Sequence, residues 1–190
     1  MLDLFYLLLG GVLWNNVILT QLLGLSPFLV ERERASVEDL WGMGMMTTAL
    51  LVASAFLAFL AYDVVLLPLG LEFLDNLILI IIVFLLVLLF QQYKDEGERG
   101  KRWHLYLPDV FMNTAIFGVL LLNVAEWETL IEALVGAAGF GLGFAFMLVI
   151  VESFNKRLEK LPLPNWITGV PAQLITLGIL ALAVSGFNGL

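Results

Sequence analysis

The chain contains no cysteine, so it can form neither a disulfide nor a thiolate-held metal centre of its own. Histidine occurs once, which removes the paired-imidazole metal sites and leaves little for acid–base chemistry near neutral pH. Charge is scarce as well. Only 14% of the 190 residues are charged against 61% hydrophobic, and a soluble domain of this size has too little interior for that much apolar surface. The net charge of −8 argues against a nucleic-acid partner. No nucleotide loop, catalytic triad, metal-binding histidine pair or quinone motif is visible. The chain is not expected to catalyse a reaction alone.

What is present is a series of long apolar runs. A helix that crosses a bilayer needs about 20 mostly apolar residues, and six stretches qualify: roughly Leu4–Leu25, Leu40–Ala61, Leu71–Phe90, Leu105–Val124, Leu130–Val151 and Val170–Phe187. They fill most of the sequence and predict one all-α polytopic membrane domain over residues 1–190, embedded in lipid, with no soluble domain. The opening MLDLFYLLLGGVLW has Asp3 where a signal peptide carries positive charge, so it reads as a retained first span.

The nine basic residues sort by loop. Arg32 and Arg34 fall between spans one and two, Lys94, Arg99, Lys101 and Arg102 between three and four, and Lys156, Arg157 and Lys160 between five and six. Basic loops stay on the cytoplasmic side, which places both termini outside and requires an even number of spans. Three spans per half also permit two inverted repeats, about 1–92 and 105–190, because an odd number of spans inverts the second copy. The same features recur in the same order in both halves. GLSPF closes span one and MNTAIFG opens span four; GMGMMTTALL begins span two and GFGLGFAFML lies in span five. Gly42 and Gly44 would then match Gly139, Gly141 and Gly143. Close helix packing through small residues explains the same glycines without a repeat.

Proline disfavours helix at the residue before it, so Ser26 in the Ser26–Pro27 step should sit where helix one ends or breaks. Asn15 and Asn16 in span one, and Asn113 and Thr114 in span four, need partners that hydrocarbon cannot supply. Interrupted polar segments in corresponding positions of inverted halves point to a site at the bilayer midplane. Two ordinary patches of interhelical hydrogen bonding are the alternative. Asp109, at the cytoplasmic start of span four, suits the positive end of a helix or a cation entrance. Glu72, Asp75, Glu126, Glu128 and Glu132 read as a solvated outer face or an acidic vestibule. His104, beside Trp103 and Tyr106, marks the headgroup level.

Several separated motifs, NNVILTQLLGLSPFL, GMGMMTTALL, YLPDVFMNTAIFGVLLLN, the glycine-rich fifth span and SGFNGL, resemble in order the RnfA/NqrE family, the small six-helix membrane proteins of the Rnf complex and of the Na+-translocating NADH:quinone reductase. The resemblance runs from about Leu4 to Leu190. It implies a multi-pass subunit of a prokaryotic inner (cytoplasmic) membrane, paired with a homologous six-helix partner of opposite orientation and accompanied by other redox subunits. It also implies a 2Fe-2S cluster shared with that partner, with cysteines at the positions held here by Ser26 and Thr114. Electron transfer through that cluster is coupled to pumping of Na+ or H+. Hydroxyls are hard and normally protonated, whereas an iron–sulfur cluster takes soft thiolates, so no cofactor bound by this chain alone is expected.

Three functions follow. One is a subunit of an Rnf/Nqr-type ion-translocating electron-transport complex that keeps the scaffold and ion path without its share of cluster ligands. Another is a cluster-free paralogue that moves a small cation, using oxygens of Ser26, Asn16, Asn113 and Thr114, which suit hard cations. The third is a purely structural membrane subunit.

Overall fold

The structure, a computed structural model, describes residues 2–25, 37–92, 113–123, 127–158, 160–162, 164 and 166–186. Every regular element among them is helical. The first span is not one helix. It runs as α1 (Leu2–Val12), breaks, and resumes as the short α2 (Val17–Gln21). The second is α3 (Val37–Ala61), which is prolonged by a wider π-turn (Tyr62–Leu66). Pro68 has no N–H to return to the helix, and its ring crowds the carbonyl four residues back. The extra residue in the preceding turn relieves that crowding, and Gly70, at φ +66°, stops the chain from continuing.

After a single 3-10 turn (Glu72–Leu74), α4 covers Asp75–Gln92. The remaining helices are α5 (Thr114–Asn123), α6 (Leu130–Leu158) and α7 (Val170–Ser185). The start of α6 is fixed locally: Thr129 Oγ1 accepts from Glu132 N–H at 3.2 Å, and Glu132 Oε2 accepts from Glu128 N–H at 3.1 Å. This reciprocal use of a hydroxyl and a carboxylate is the capping logic of a T-x-x-E sequence. Glu132 is therefore engaged with the helix end.

Among the described residues, three segments are long and apolar enough to cross a membrane: Glu38–Leu69, Glu72–Leu89 and Leu130–Leu158. They do not play equal parts. Of the spanning portion of α6, 61% is buried, against 17% for the segment containing α4. The helix α6 is the hub, and α4 presents Leu77, Ile80, Ile81, Phe84 and Leu85 outward, a surface suited to hydrocarbon and not to water.

Small residues let the hub's neighbours approach closely. Gly44 of α3 faces Ala145, and a Cβ built at Gly141 would stand 2.7 Å from Thr48 Cα. Numbers rise along α3 as they fall along α6, so the two are antiparallel. On α1, Leu8 lies against Gly139 and Gly11 against Phe140 and Gly143, so α1 and α6 run in parallel. Without a hydrophobic drive between helices in lipid, such contact supplies much of the association energy. Gly42 has open space around it and takes no part.

Candidate functional site

The break in the first span is organised by one amide. Asn16 has extended backbone angles (φ −66°, ψ 122°); its Oδ1 accepts from Ile18 N–H at 3.0 Å, and its Nδ2 donates to the Val12 carbonyl at 3.1 Å. It thus satisfies an orphan donor of α2 and an orphan acceptor of α1 at once. Asn16 is 1% exposed, while Asn15 beside it is exposed and gives only its N–H, to Gly10 O at 2.7 Å. α2 then ends abruptly. Leu22 adopts φ +55°, a left-handed conformation that is costly for a bulky residue, and Gly24 follows at φ +77°.

Asn113 repeats the cap in the second half. Its Oδ1 accepts from Ala115 N–H at 3.0 Å, and the residue is fully buried. The adjacent Thr114 is exposed, and its Oγ1 accepts from Gly24 N–H at 2.9 Å, a bond that joins positions ninety residues apart. The Asn113 amide nitrogen has no partner among the described residues.

Consecutive residues of α6 hold the two breaks together. A Cβ at Gly143 would meet Gly11 O, stand 2.8 Å from Asn16 Nδ2 and lie 2.9 Å from Val12 Cα. A Cβ at Gly24 would lie 2.8 Å from both the Phe144 ring and the Ala115 methyl, and 2.9 Å from Asn113 Oδ1. No side chain other than hydrogen fits at either position. Phe144 is fourteen residues from either end of α6, so both polar breaks sit at mid-length of the longest helix.

Residues 4–190 match the family model described as Rnf-Nqr subunit, membrane protein. The chain belongs to that family. It is 35% identical over 192 residues to the A-type subunit of the ion-translocating oxidoreductase complex of Actinobacillus pleuropneumoniae serotype 5b (strain L20), covering 100% of this chain and 98% of that protein. It is likewise 35% identical over 193 residues to the protein of the same name from Syntrophotalea carbinolica, again covering 100% and 98%. The Vibrio cholerae (strain N16961) protein of that name is 32% identical over 192 residues, with the same coverage.

For this Rnf-Nqr protein, the family resemblance places cluster thiolates where Ser26 and Thr114 stand. The donor set does not fit such a cluster. Thr114 offers a hydroxyl whose oxygen already accepts the Gly24 N–H, and the described residues hold no group of three or more His, Cys, Asp or Glu that could take a metal. Ser26 and Asp109 lie outside the described residues, as do Glu126 and the stretch with Trp103, His104 and Tyr106. Of the residues singled out in the sequence, Asn16, Asn113 and Thr114 lie in this one neighbourhood, and Asn15 is exposed beside Asn16.

Gly24, Leu22 and Phe144 were not singled out individually. Gly24 carried a signal, its place two residues before Ser26, but its partner ninety residues away did not. Gly139, Gly141 and Gly143 behave as the packing alternative describes, and Gly143 in addition makes room for the Asn16 amide.

Proposed function

We propose that this chain is the membrane subunit of an Rnf/Nqr-type ion-translocating electron-transport complex, supplying transmembrane scaffold and ion path without ligating a 2Fe-2S cluster. The observation that carries the reading is the Gly24–Thr114 hydrogen bond within a full-length family match: the two polar breaks meet at the positions where the family resemblance places redox ligands, but through an amide and a hydroxyl.

The proposed topology has six spans, broken helices one and four, inverted repeats of about 1–92 and 105–190, and both termini outside a prokaryotic inner membrane. The helix directions support it. α1 and α6 are parallel and α3 opposes α6. With α4 returning from α3, one further crossing between residues 92 and 130 is needed before α6 can run as it does, and α5 lies in that interval. The matched Asn16 and Asn113 caps support a duplicated break. Bacterial relatives named as complex subunits support the location.

The ion path in this proposal passes the midplane lining of Asn15, Asn16, Asn113, Thr114 and Ser26, with Asp109 at its cytoplasmic mouth. Buried polar backbone at a helix break is tolerated only inside protein or beside a wet cavity. The exposed Thr114 therefore calls for a covering surface, assigned here to a homologous six-helix partner of opposite orientation. Each residue has a limited task. Asn16 and Asn113 hold the helix ends open, Gly24 and Gly143 let backbone approach, and Thr114 ties one half to the other.

Purification through this chain is expected to bring down redox subunits with flavin or iron–sulfur motifs. A lone chain that translocates a small cation in liposomes would instead establish the paralogue reading. The topology has its own test: a cysteine at Gly97 should resist an impermeant thiol reagent added to intact cells and react after permeabilisation. Labelling from outside would invert the assignment.

A further inference from the structure

We propose that this chain carries a site for one anionic phospholipid, its headgroup held at the turn between α6 and α7 and one acyl chain seated in a cavity beside the broken first span. The assignment of that lipid to the cytoplasmic leaflet rests on the topology proposed above. The cavity is the first observation. Trp14 and Leu19 at the break, Phe146 and Ile150 of α6, and Leu180 and Val184 of α7 line a space of about 270 Å³ that presents no polar surface. Cavities of that character stay dry and take apolar guests. Phe146 is 41% exposed, so the space opens at the helix surface, where the apolar guest at hand in a bilayer is a lipid chain.

The second observation lies further along the same helix. Phe146, Ile150, Phe154 and Arg157 recur at helical spacing and share one face of α6. Ser153 on that face donates its hydroxyl to the Val149 carbonyl at 2.7 Å, which spares lipid an unpaired donor. From Phe146 to Arg157 the helix rises about 16 Å at 1.5 Å per residue. That is close to the depth of one leaflet, half of a hydrocarbon core about 30 Å thick. At its far end the face changes character. Arg157 and Lys160 are exposed within KRLEK, which has three cations and one carboxylate, while Leu161 and Trp166 nearby are 53% and 77% exposed. Lys156 is paired with Glu152 at 3.7 Å and is not counted toward the headgroup. The turn is held by its own backbone, with Lys160 N–H donating to Arg157 O at 3.2 Å and Ile167 N–H to Pro164 O at 2.9 Å.

Exposed cations beside an exposed indole match the phosphate and interfacial zone of an anionic lipid. Basic residues also suit the negative end of α6, but that account leaves Trp166 and the cavity without an occupant. Free phosphate would engage the cations alone. A phospholipid uses both ends of the face.

The complex purified through this chain would be mixed with phosphatidylglycerol or phosphatidylcholine brominated at mid-chain, a position that quenches an indole on contact. Trp14 emission is read as the difference between the native protein and Trp14→Phe. Phosphatidylglycerol is expected to quench most of the Trp14 share, and phosphatidylcholine to need a concentration higher on the order of tenfold. The double variant Arg157→Gln, Lys160→Gln should abolish that preference. Native mass spectrometry, which needs no tryptophan variant, should find a retained phosphatidylglycerol that the double variant loses. Absence of any Trp14 share, equal quenching by both lipids in the native protein, or a preference that survives the double variant would overturn the proposal. So would a cross-linker at Lys160 that captures a redox subunit while no lipid preference is seen, since the turn would then belong to a protein partner. Outside labelling of a cysteine at Gly97 would move the lipid to the other leaflet and leave its site standing, so topology and lipid fail separately.

Discussion

Gly143→Val is expected to prevent assembly of the protein into its complex, whereas Gly42→Ala should leave it intact. The two glycines belong to the matched glycine-spaced segments of spans five and two, yet their surroundings differ completely. A side chain at position 143 would meet Gly11 O and Val12 Cα, which are backbone and cannot swing aside, as well as the Asn16 amide. To admit it, α1 must retreat from α6. That separates Leu8 from Gly139 and Gly11 from Phe140 as well, since those contacts share the same interface. Overpacking in a tight core typically costs about 1–3 kcal/mol, occasionally more, and backbone-on-backbone contact puts Gly143→Val at about 3 kcal/mol or above. Nothing lies within 4 Å of a Cβ at Gly42, and alanine favours helix by up to about 1 kcal/mol over glycine. Thermal melts of detergent-purified complex, with the amount of protein recovered from membranes, would compare the pair. Equal recovery of both variants would mean that the α1–α6 contact is looser than described.

The second large effect is expected from Asn16→Ala. Its amide serves two backbone groups, the buried Ile18 N–H at 3.0 Å and the part-buried Val12 O at 3.1 Å, and alanine orphans both. A lost cap costs about 1 kcal/mol and an unsatisfied buried group about 1–3 kcal/mol, so about 2–4 kcal/mol of destabilisation is expected. Asn16→Asp should lose roughly half of that, since it retains the acceptor for Ile18 and lacks the donor for Val12. Asn15→Ala, at an exposed side chain, should change stability by less than about 0.5 kcal/mol. Chemical denaturation of the reconstituted complex measures all three. A matching loss at Asn15 would show that the break is held by solvent contacts and not by the cap.

The contrast between Asn15 and Asn16 also shows what could be read in advance. Both are amides in an apolar run, and composition alone marks the pair as needing partners. Which of them turns inward depends on where α1 stops, and the Gly10–Gly11 pair before Val12 marks a weak point of the helix without fixing the residue at which it ends. The sequence places the first span at Leu4–Leu25, with its end or break at Ser26–Pro27, which lies outside the described residues. Within the span the chain also breaks between Val12 and Val17 and turns again at Leu22. Tertiary packing on Gly143 explains the earlier break. It compensates for the lost helix bonds by bringing Asn16 to the exposed ends of α1 and α2, which local propensity does not register.

Other elements were more legible. Long charge-free runs bounded by acidic first turns read directly as α3, α4 and α6, because length and hydropathy suffice for a spanning helix. The polar interruption of span four at MNTAIFG was visible from Asn113 and Thr114, and α5 begins at Thr114; the earlier part of that span, from Leu105, lies outside the described residues. The Gly24–Thr114 bond was not legible, since a backbone N–H carries no sequence signature. Its existence depends on α6 drawing both segments to Phe144.

The most direct test of the central claim is electron paramagnetic resonance of the complex purified through this chain, reduced with dithionite, alongside Ser26→Ala and Thr114→Ala variants. A site built on hydroxyls and amides predicts that neither variant changes any 2Fe-2S spectrum present, because whatever iron–sulfur centres the partners carry owe nothing to these two positions. A 2Fe-2S signal in the native complex that disappears in either variant would contradict the account, because it would make Ser26 or Thr114 a ligand of iron.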